Sequence, residues 1–302
     1  MRFVTYADRA GGAPRPGVLN EAGTAVCDLG DHYFDLLSLI GTGDEGLASA
    51  RAVQAIGGGL ALSDVHLHAP LPRPASLRDC MVYEKHVRQS LKAGLALAGR
   101  PADAMTVPDI WFRQPLYYKG NRFSVVGTGA QIRRPRACRY LDIELEIAIV
   151  IGRAGRDIPR DAATAHVFGY MLFGDVTARD AQFRESAGGL GPAKGKDFDT
   201  GNIFGPWIAT PDELGPFDDL AVRFAVNDAD VATTTAGAMQ HDVPAVIAHI
   251  SADETLYPGE VIGLGTIGDC CLLEHGRALQ PGDRIEMTVT GLGTLHATVE
   301  PE

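Results

Sequence analysis

The sequence predicts a β-rich α+β chain, with a small N-terminal α/β unit over residues 1–70 and a larger unit over residues 71–302. Three observations predict it. First, 36 glycines and 18 prolines divide the 302 residues into many short runs, which suits strands joined by turns. Second, short segments that read as strands recur along the chain while helical spacing is confined to a few segments. Third, Leu141–Gly152 reads L-D-I-E-L-E-I-A-I-V-I-G, an alternating half followed by a continuously apolar half. Such a strand starts polar on one face and ends covered on both.

In the N-terminal unit, Arg2 to Tyr6, Arg15 to Leu19 and Thr24 to Leu29 read as strands, and Tyr33 to Ile40 and Gly46 to Ile56 as helices. Pro70, Pro72 and Pro74 stiffen a connector, which places the boundary. His66 and His68 alternate in V-H-L-H-A-P, but without a third ligand nearby they read as surface strand residues. Between Leu77 and Arg100, Val87, Leu91 and Leu95 have helical spacing, with Asp79 before the helix and His86 in its first turns. Pro101 to Lys119 carries Trp111, Phe112, Tyr117 and Tyr118, as a lid or a packed connection. A strand is expected at Arg122 to Val126, then the Leu141 strand. Asp161 is a candidate N-cap for a helix from Ala162, and Asp175 ends the apolar strand that follows. The loop G-P-A-K-G-K-D-F-D-T carries Lys194 and Lys196. Asp218 to Asn227 reads as a strand, Pro244 to Ile250 as a helix, and the remainder as strands joined by tight turns.

A formal charge of −11, from 38 acidic and 27 basic residues, argues against a nucleic-acid partner. No apolar stretch is long enough for a membrane span, and Met1-Arg2-Phe3 leads into no signal-like segment, so a cytoplasmic location is expected. The five cysteines have no C-x-x-C spacing; they indicate neither a disulfide framework nor a zinc site, and Cys270 and Cys271 read as apolar fillers. Gly263 to Gly268 spells G-L-G-T-I-G, but no βαβ unit surrounds it, so the dinucleotide reading is rejected.

Period-two spacing puts Asp142, Glu144 and Glu146 on one strand face. Same-face neighbours lie about 7 Å apart, close enough to converge on one oxygen-seeking cation. The alternative is the solvated face of an antiparallel strand.

Taken together, R-D-C-M-V-Y-E-K-H, D-I-E-L-E-I-A-I-V-I-G, F-G-D-V-T-A-R-D-A-Q, K-G-K-D-F-D-T and G-T-I-G resemble the fumarylacetoacetate hydrolase family over most of residues 71–302. The resemblance implies a mixed β-sandwich or roll and a homodimer. It implies Glu144, Glu146 and Asp175 as ligands of Mg²⁺, or of Ca²⁺ or Mn²⁺, with Asp79 added and Asp142 beside them rather than ligating. His86 would be the catalytic base, oriented by Glu274, although the interval from the G-T loop to that Glu is shorter than in the fumarylacetoacetate-cleaving members. Lys196, with Lys194 as fallback, would be the catalytic lysine; Tyr118, Lys119, Arg179, Gln182 and Thr266 would face substrate.

Three carboxylates suit a hard cation, which would polarise a chelating 2-oxo acid or 1,3-diketone. The expected activity is metal-dependent hydrolysis of a carbon–carbon bond in acylpyruvate-like substrates through a metal-bound enolate. Alternatives on the same site are decarboxylation of an oxaloacetate-type acid and isomerisation or hydration of an unsaturated 2-oxo diacid. A non-enzymatic alternative is a module holding a structural Ca²⁺, marked by coordination closed with protein oxygens.

Overall fold

The computed structural model describes residues 1–9, 11–97, 99, 101 and 106–301. Arg100, at the end of the predicted helical segment, residues 102–105 of the candidate lid, and Glu302 lie outside the described residues.

The N-terminal part contains β1 (Arg2–Asp8), β2 (Arg15–Leu19), β3 (Ala25–Asp28), α1 (Leu36–Gly41), α2 (Asp44–Ile56), β4 (Leu60–Ala61) and β5 (Val65–His68). Helix α1 begins later than its apolar pattern because Asp35 and Ser38 form a reciprocal cap. Next come β6 (Leu77–Cys80), α3 (Glu84–Leu97), α4 (Asp109–Arg113), β7 (Tyr117–Lys119), β8 (Val125–Gly127) and β9 (Ala130–Ile132). The expected strand at Arg122 forms only from Val125, since residues 121–124 close a turn in which the Asn121 side chain accepts from Phe123 N at 3.0 Å.

The long hairpin β10 (Leu141–Ile151) and β11 (Val167–Ala178) leads into α5 (Arg179–Ser186), α6 (Ala193–Lys196) and β12 (Asn202–Ala209). Two expectations are corrected here. The segment after Asp161 is a 3-10 helix, Arg160–His166, whose N-cap is Pro159 and which has no side-chain cap. Asp175 does not end its strand: β11 runs on to Ala178, because Thr177 and Ala178 still pair with Asp142 and Leu141. The chain finishes with β13 (Ala221–Val226), β14 (Ala229–Thr235), α7 (Val243–Ser251), β15 (Val261–Gly263), β16 (Arg284–Val289) and β17 (Gly293–Val299). Residues 217–219, at the start of the expected 218–227 strand, instead form a 3-10 turn.

Among the described residues the strands form two sheets. The larger runs β4-β3-β2-β1-β12-β11-β10-β15-β6-β7, with β5 on β1 and β8 on β12; the smaller runs β14-β13-β16-β17-β9. The N-terminal strands thus join the large sheet through β1 and β12.

Strand β10 is buried along its whole length, and its two faces meet different cores. Ile143, Leu145, Ile147 and Ile149 pack with Phe224, Met287 and Leu295 of the small sheet. On the other face, Ala148 and Val150 pack with Phe3, α1 and Phe204. That second face carries Asp142, Glu144 and Glu146 before it becomes apolar, so the carboxylates lie where the N-terminal cover ends. With Asp142, Glu144 and Glu146 at 0%, 3% and 1% exposure, the solvated-face reading is excluded.

Of the two readings of residues 101–119, lid or packed connection, the described part fits the second: Trp111 of α4 is buried and its Nε1 donates to Met81 O at 2.6 Å. All five cysteines are free and buried, as fillers should be. None of the helices among the described residues is long and apolar enough to cross a membrane.

Candidate active site

Strand pairing assembles the site. Antiparallel register sets Glu144 opposite Asp175 and Asp142 opposite Thr177, so their side chains share a face. Strand β15 pairs with β10 on one side and parallel β6 on the other, which brings Asp79 in from a distant part of the chain. Tyr118 of β7 stands opposite Asp79. Oxygens of Asp79, Glu146 and Asp175 then lie within 4.8 Å of one another, all buried.

Two cations are built into this cluster. Lys196 ion-pairs with both Glu144 and Asp175. Arg179, the first residue of α5, donates Nη2 to Asp142 at 2.7 Å and to Glu144 at 2.6 Å, and Nη1 to Gln182 at 3.0 Å. Asp142 is fully engaged, since it also accepts from the backbone N–H groups of Ile143, Leu272 and Leu273. It braces Arg179 and the 270s loop and stays out of the three-carboxylate cluster.

His86, in the first turn of α3, lies between two carboxylates. Its Nδ1 is 2.9 Å from Glu274 Oε1, and its Nε2 is 3.5 Å from Glu144 Oε1. A carboxylate on Nδ1 holds the proton there and leaves Nε2 as the acceptor facing the cavity.

The electrostatics divide the carboxylates into two kinds. Burial would raise Glu144, but Arg179 and Lys196 outweigh it and hold this residue well below the usual carboxylate range. Burial raises Glu146 and Asp175 well above that range, with Asp79 and Asp175 adding to the effect at Glu146; Asp79 is raised chiefly by burial. Burial would lower Lys196, yet Asp175 and Glu144 more than compensate and keep it charged.

The donor set fits a divalent cation. Asp79 Oδ1 and Asp175 Oδ1 are buried without a hydrogen-bond partner, an arrangement that is costly unless something else satisfies them. Three carboxylates with no sulfur or nitrogen among them suit a hard ion such as Mg²⁺, Mn²⁺ or Ca²⁺.

A half-open cavity of about 350 Å³ covers the cluster, and Asp79, His86, Tyr118, Glu144, Glu146, Arg179, Gln182, Lys196 and Thr266 all line it. Tyr118 Oη donates to Asp175 Oδ2 at 3.3 Å. Lys119 is not brought in. Successive strand residues point to opposite faces, so it turns away, exposed, to Glu254 at 3.4 Å. Lys194, the fallback lysine, is exposed as well.

Glycines to which the sequence assigned no role of their own shape the site. A Cβ on Gly263 would stand 3.0 Å from Glu146 Oε2 and from the Phe173 ring, and nearer still to Asp79 Oδ1. Gly265, at φ +88°, donates its N–H to Glu146 Oε2 at 3.0 Å, and its Cβ would meet Cys80 O at 2.6 Å. The rejected G-L-G-T-I-G run is therefore a carboxylate cradle. Its glycines make room for side chains, as they would for a pyrophosphate in a dinucleotide site. At Gly195 a Cβ would collide with the Gln182 backbone at 2.8 Å, so α6 can seat Lys196 only by touching α5 there. Cys271 pairs with Glu144 across an isolated bridge, and its Sγ lies within 4.8 Å of the ligating atoms of His86 and Glu144. Its apolar context in C-C-L-L signalled only a filler.

Residues 78–300 match the fumarylacetoacetate (FAA) hydrolase C-terminal family. A protein of Mycobacterium tuberculosis is 34% identical over 236 residues, covering 78% of this chain and 78% of its own. The oxaloacetate tautomerase YisK of Bacillus subtilis is 31% identical over 238 residues, 78% of this chain and 73% of its own. Among solved structures, the fumarylacetoacetate hydrolase of the psychrophile Exiguobacterium antarcticum superposes over 100% of both chains with a TM-score of 0.76 at 30% identity.

Proposed function

The chain belongs to the fumarylacetoacetate hydrolase family, and from that premise we propose that it is a metal-dependent hydrolase cleaving a carbon–carbon bond in acylpyruvates or related 1,3-diketones. The observation that carries the reading is the His86–Glu274 pair, 2.9 Å apart, at the edge of the Asp79, Glu146 and Asp175 cluster. With His86 as general base and the cluster as cation site, this pair would supply what hydrolysis needs and a structural site does not. The cavity over the cluster and the unpartnered oxygens of Asp79 and Asp175 speak against a structural Ca²⁺ closed off by protein oxygens.

Asp79, Glu146 and Asp175 would hold the cation, for which Mg²⁺ is the proposed ion; Glu144, expected as a further ligand, lies outside that cluster and is engaged by Arg179 and Lys196. When bound it supplies Lewis-acid polarisation of a 2-oxo acid. The chain's own residues do the rest. Arg179 and Lys196 present fixed positive charge where negative charge develops, an effect worth on the order of 3 kcal/mol per donor. His86 Nε2 takes a proton from water, which attacks the distal carbonyl; the bond between that carbonyl and the adjacent CH2 breaks, and the proton returns to the departing carbon. Acylpyruvate and water thus become a carboxylic acid and pyruvate. Glu274 keeps the other ring nitrogen protonated throughout.

A second reading is keto–enol tautomerisation of oxaloacetate, favoured by the likeness to the Bacillus subtilis tautomerase. It uses the same base but consumes no water. Absorbance assays of acylpyruvates and oxaloacetate, with and without EDTA, separate the two. The hydrolase reading expects EDTA-sensitive loss of the diketone band with release of pyruvate, abolished in Asp175→Ala and reduced at least ~100-fold in His86→Ala. Unchanged acylpyruvate turnover by His86→Ala refutes it, and catalysis confined to oxaloacetate without pyruvate release supports the tautomerase. A homodimer is proposed with it, and light scattering checks this.

A further inference from the structure

The cavity is ordered by depth. Its floor is ionic and buried, with Arg179 and Lys196 at 1% and 3% exposure. Its outer wall is mostly apolar: Met81, Leu116, Phe183 and Pro192 are half-buried, Leu91 is at the rim, 36% exposed, and the hydroxyls of Ser90 and Ser186 donate to carbonyls of their own helices, Val87 O and Gln182 O. Among the described lining residues the fixed cations are Arg179 and Lys196, both at the floor and both held by Asp142, Glu144 and Asp175. A 2-oxo acid that directs its oxygens to the floor therefore lays its far end on the apolar wall. A second carboxylate there would lose hydration, gain no free cationic partner and face a site already rich in carboxylates. Methylenes there would gain by burial.

Phe183 is the fixed part of that wall. A Cβ on Gly94 of α3 would stand 2.8 Å from Cε1 and 3.2 Å from Cζ of its ring. The bare backbone at Gly94 thus sets how far the ring withdraws from the cavity.

We propose that the substrate is a 2-oxo acid whose far end is an uncharged apolar acyl chain, selected by Leu91 and by Phe183 seated on Gly94. The proposal rests on the hydrolase reading for its reaction, but its test is binding. Protein supplied with Mg²⁺ is titrated calorimetrically with straight-chain 2-oxo monoacids from 2-oxobutanoate to 2-oxooctanoate, and with 2-oxoglutarate and 2-oxoadipate. Affinity is expected to rise about threefold per methylene over the first few, and each dicarboxylate to bind at least ~10-fold more weakly than the monoacid of equal length. Gly94→Ala drives the ring inward and stops the gain roughly one methylene earlier. Leu91→Lys, at a position 36% exposed on the rim, narrows the gap against dicarboxylates.

A flat monoacid series, no binding by any member, or dicarboxylates that bind as tightly as their monoacid partners overturns the proposal. An unchanged gap in Leu91→Lys overturns the assignment to that residue. Graded binding without acylpyruvate cleavage leaves this subsite standing and removes the hydrolase reading; cleavage with ungraded binding does the reverse.

Discussion

Replacing Gly263 by alanine adds one methyl group between the strands that carry the metal-site carboxylates. Gly263 cannot retreat, because β15 is paired on both sides, to Ala148 of β10 and to Asp79 of β6. Phe173 cannot easily retreat either, since its ring packs edge-on against Phe204 at 5.1 Å between centroids. The new Cβ would be 3.0 Å from both Glu146 Oε2 and the Phe173 ring, where ordinary contact begins at 3.4 Å, and closer to Asp79 Oδ1. The carboxylates must yield, Asp79 by up to about 1 Å, which opens the cluster toward the cavity. A displaced ligand of this kind weakens metal binding by roughly 10- to 100-fold, or about 1.4 to 2.8 kcal/mol. Calorimetric titration with Mn²⁺ measures it. Gly41→Ala, where a Cβ would meet nothing within 4 Å, is the control. The melting temperature in EDTA should fall as well, because the 3.0 Å contact with the Phe173 ring has nowhere to relax. Mn²⁺ affinity within about twofold of the parent protein would refute the cradle, since even an outer-shell disturbance exceeds that.

Three further outcomes are expected. Glu274→Gln leaves His86 in place but no longer fixes its tautomer, so kcat falls by roughly 100- to 10,000-fold while Mn²⁺ affinity holds; a parallel loss of metal would assign Glu274 a structural role instead. Lys196→Met leaves Glu144 and Asp175 buried without their shared cation. Denaturant unfolding in EDTA should show a loss of about 3 to 5 kcal/mol, partly restored by saturating Mg²⁺; equal losses with and without metal would contradict the shared-charge picture. The third outcome concerns pH. Asp79, Glu146 and Asp175 are raised by burial, so the metal-free folded state binds more protons than the unfolded chain. Stability from these groups is present at low pH and lost as pH rises through their raised values. The melting temperature in EDTA should therefore fall above the ordinary carboxylate range, and the stabilisation by Mg²⁺ should widen with pH. Calorimetry in buffers of different ionisation enthalpy should register proton release on Mg²⁺ binding, and its absence would show the carboxylates already ionised.

Much of the chemistry was legible from local pattern. Period-two spacing put Glu144 and Glu146 on one face, and the apolar half of the same run announced a covered strand; both follow from the strand's own geometry. The resemblance placed Asp175, His86, Lys196, Arg179 and Glu274; one strand, three helices and a 3-10 turn bring them to one cavity or its edge. Element ends were less legible. The 160–166 segment became a 3-10 helix, and β11 outran Asp175, because caps and partner strands outside each window decide where an element stops.

Tertiary structure alone decided the division of labour within the acidic face. Asp142 and Glu144 differ by two residues of one strand, yet Asp142 is taken up by three backbone N–H groups and Arg179, while Glu144 lies between Arg179, Lys196 and His86. Lys119 points away because its neighbour Tyr118 points in. Gly263 matters only because β6 and β10 flank it, a pairing across more than 100 residues that no local window contains. The sequence by itself determined which residue types were available and on which strand face. Which carboxylate oxygens stay open to a cation, and which are already taken by arginine, lysine or backbone, depends on long-range register, because charge and hydrogen bonding are settled by neighbours in space.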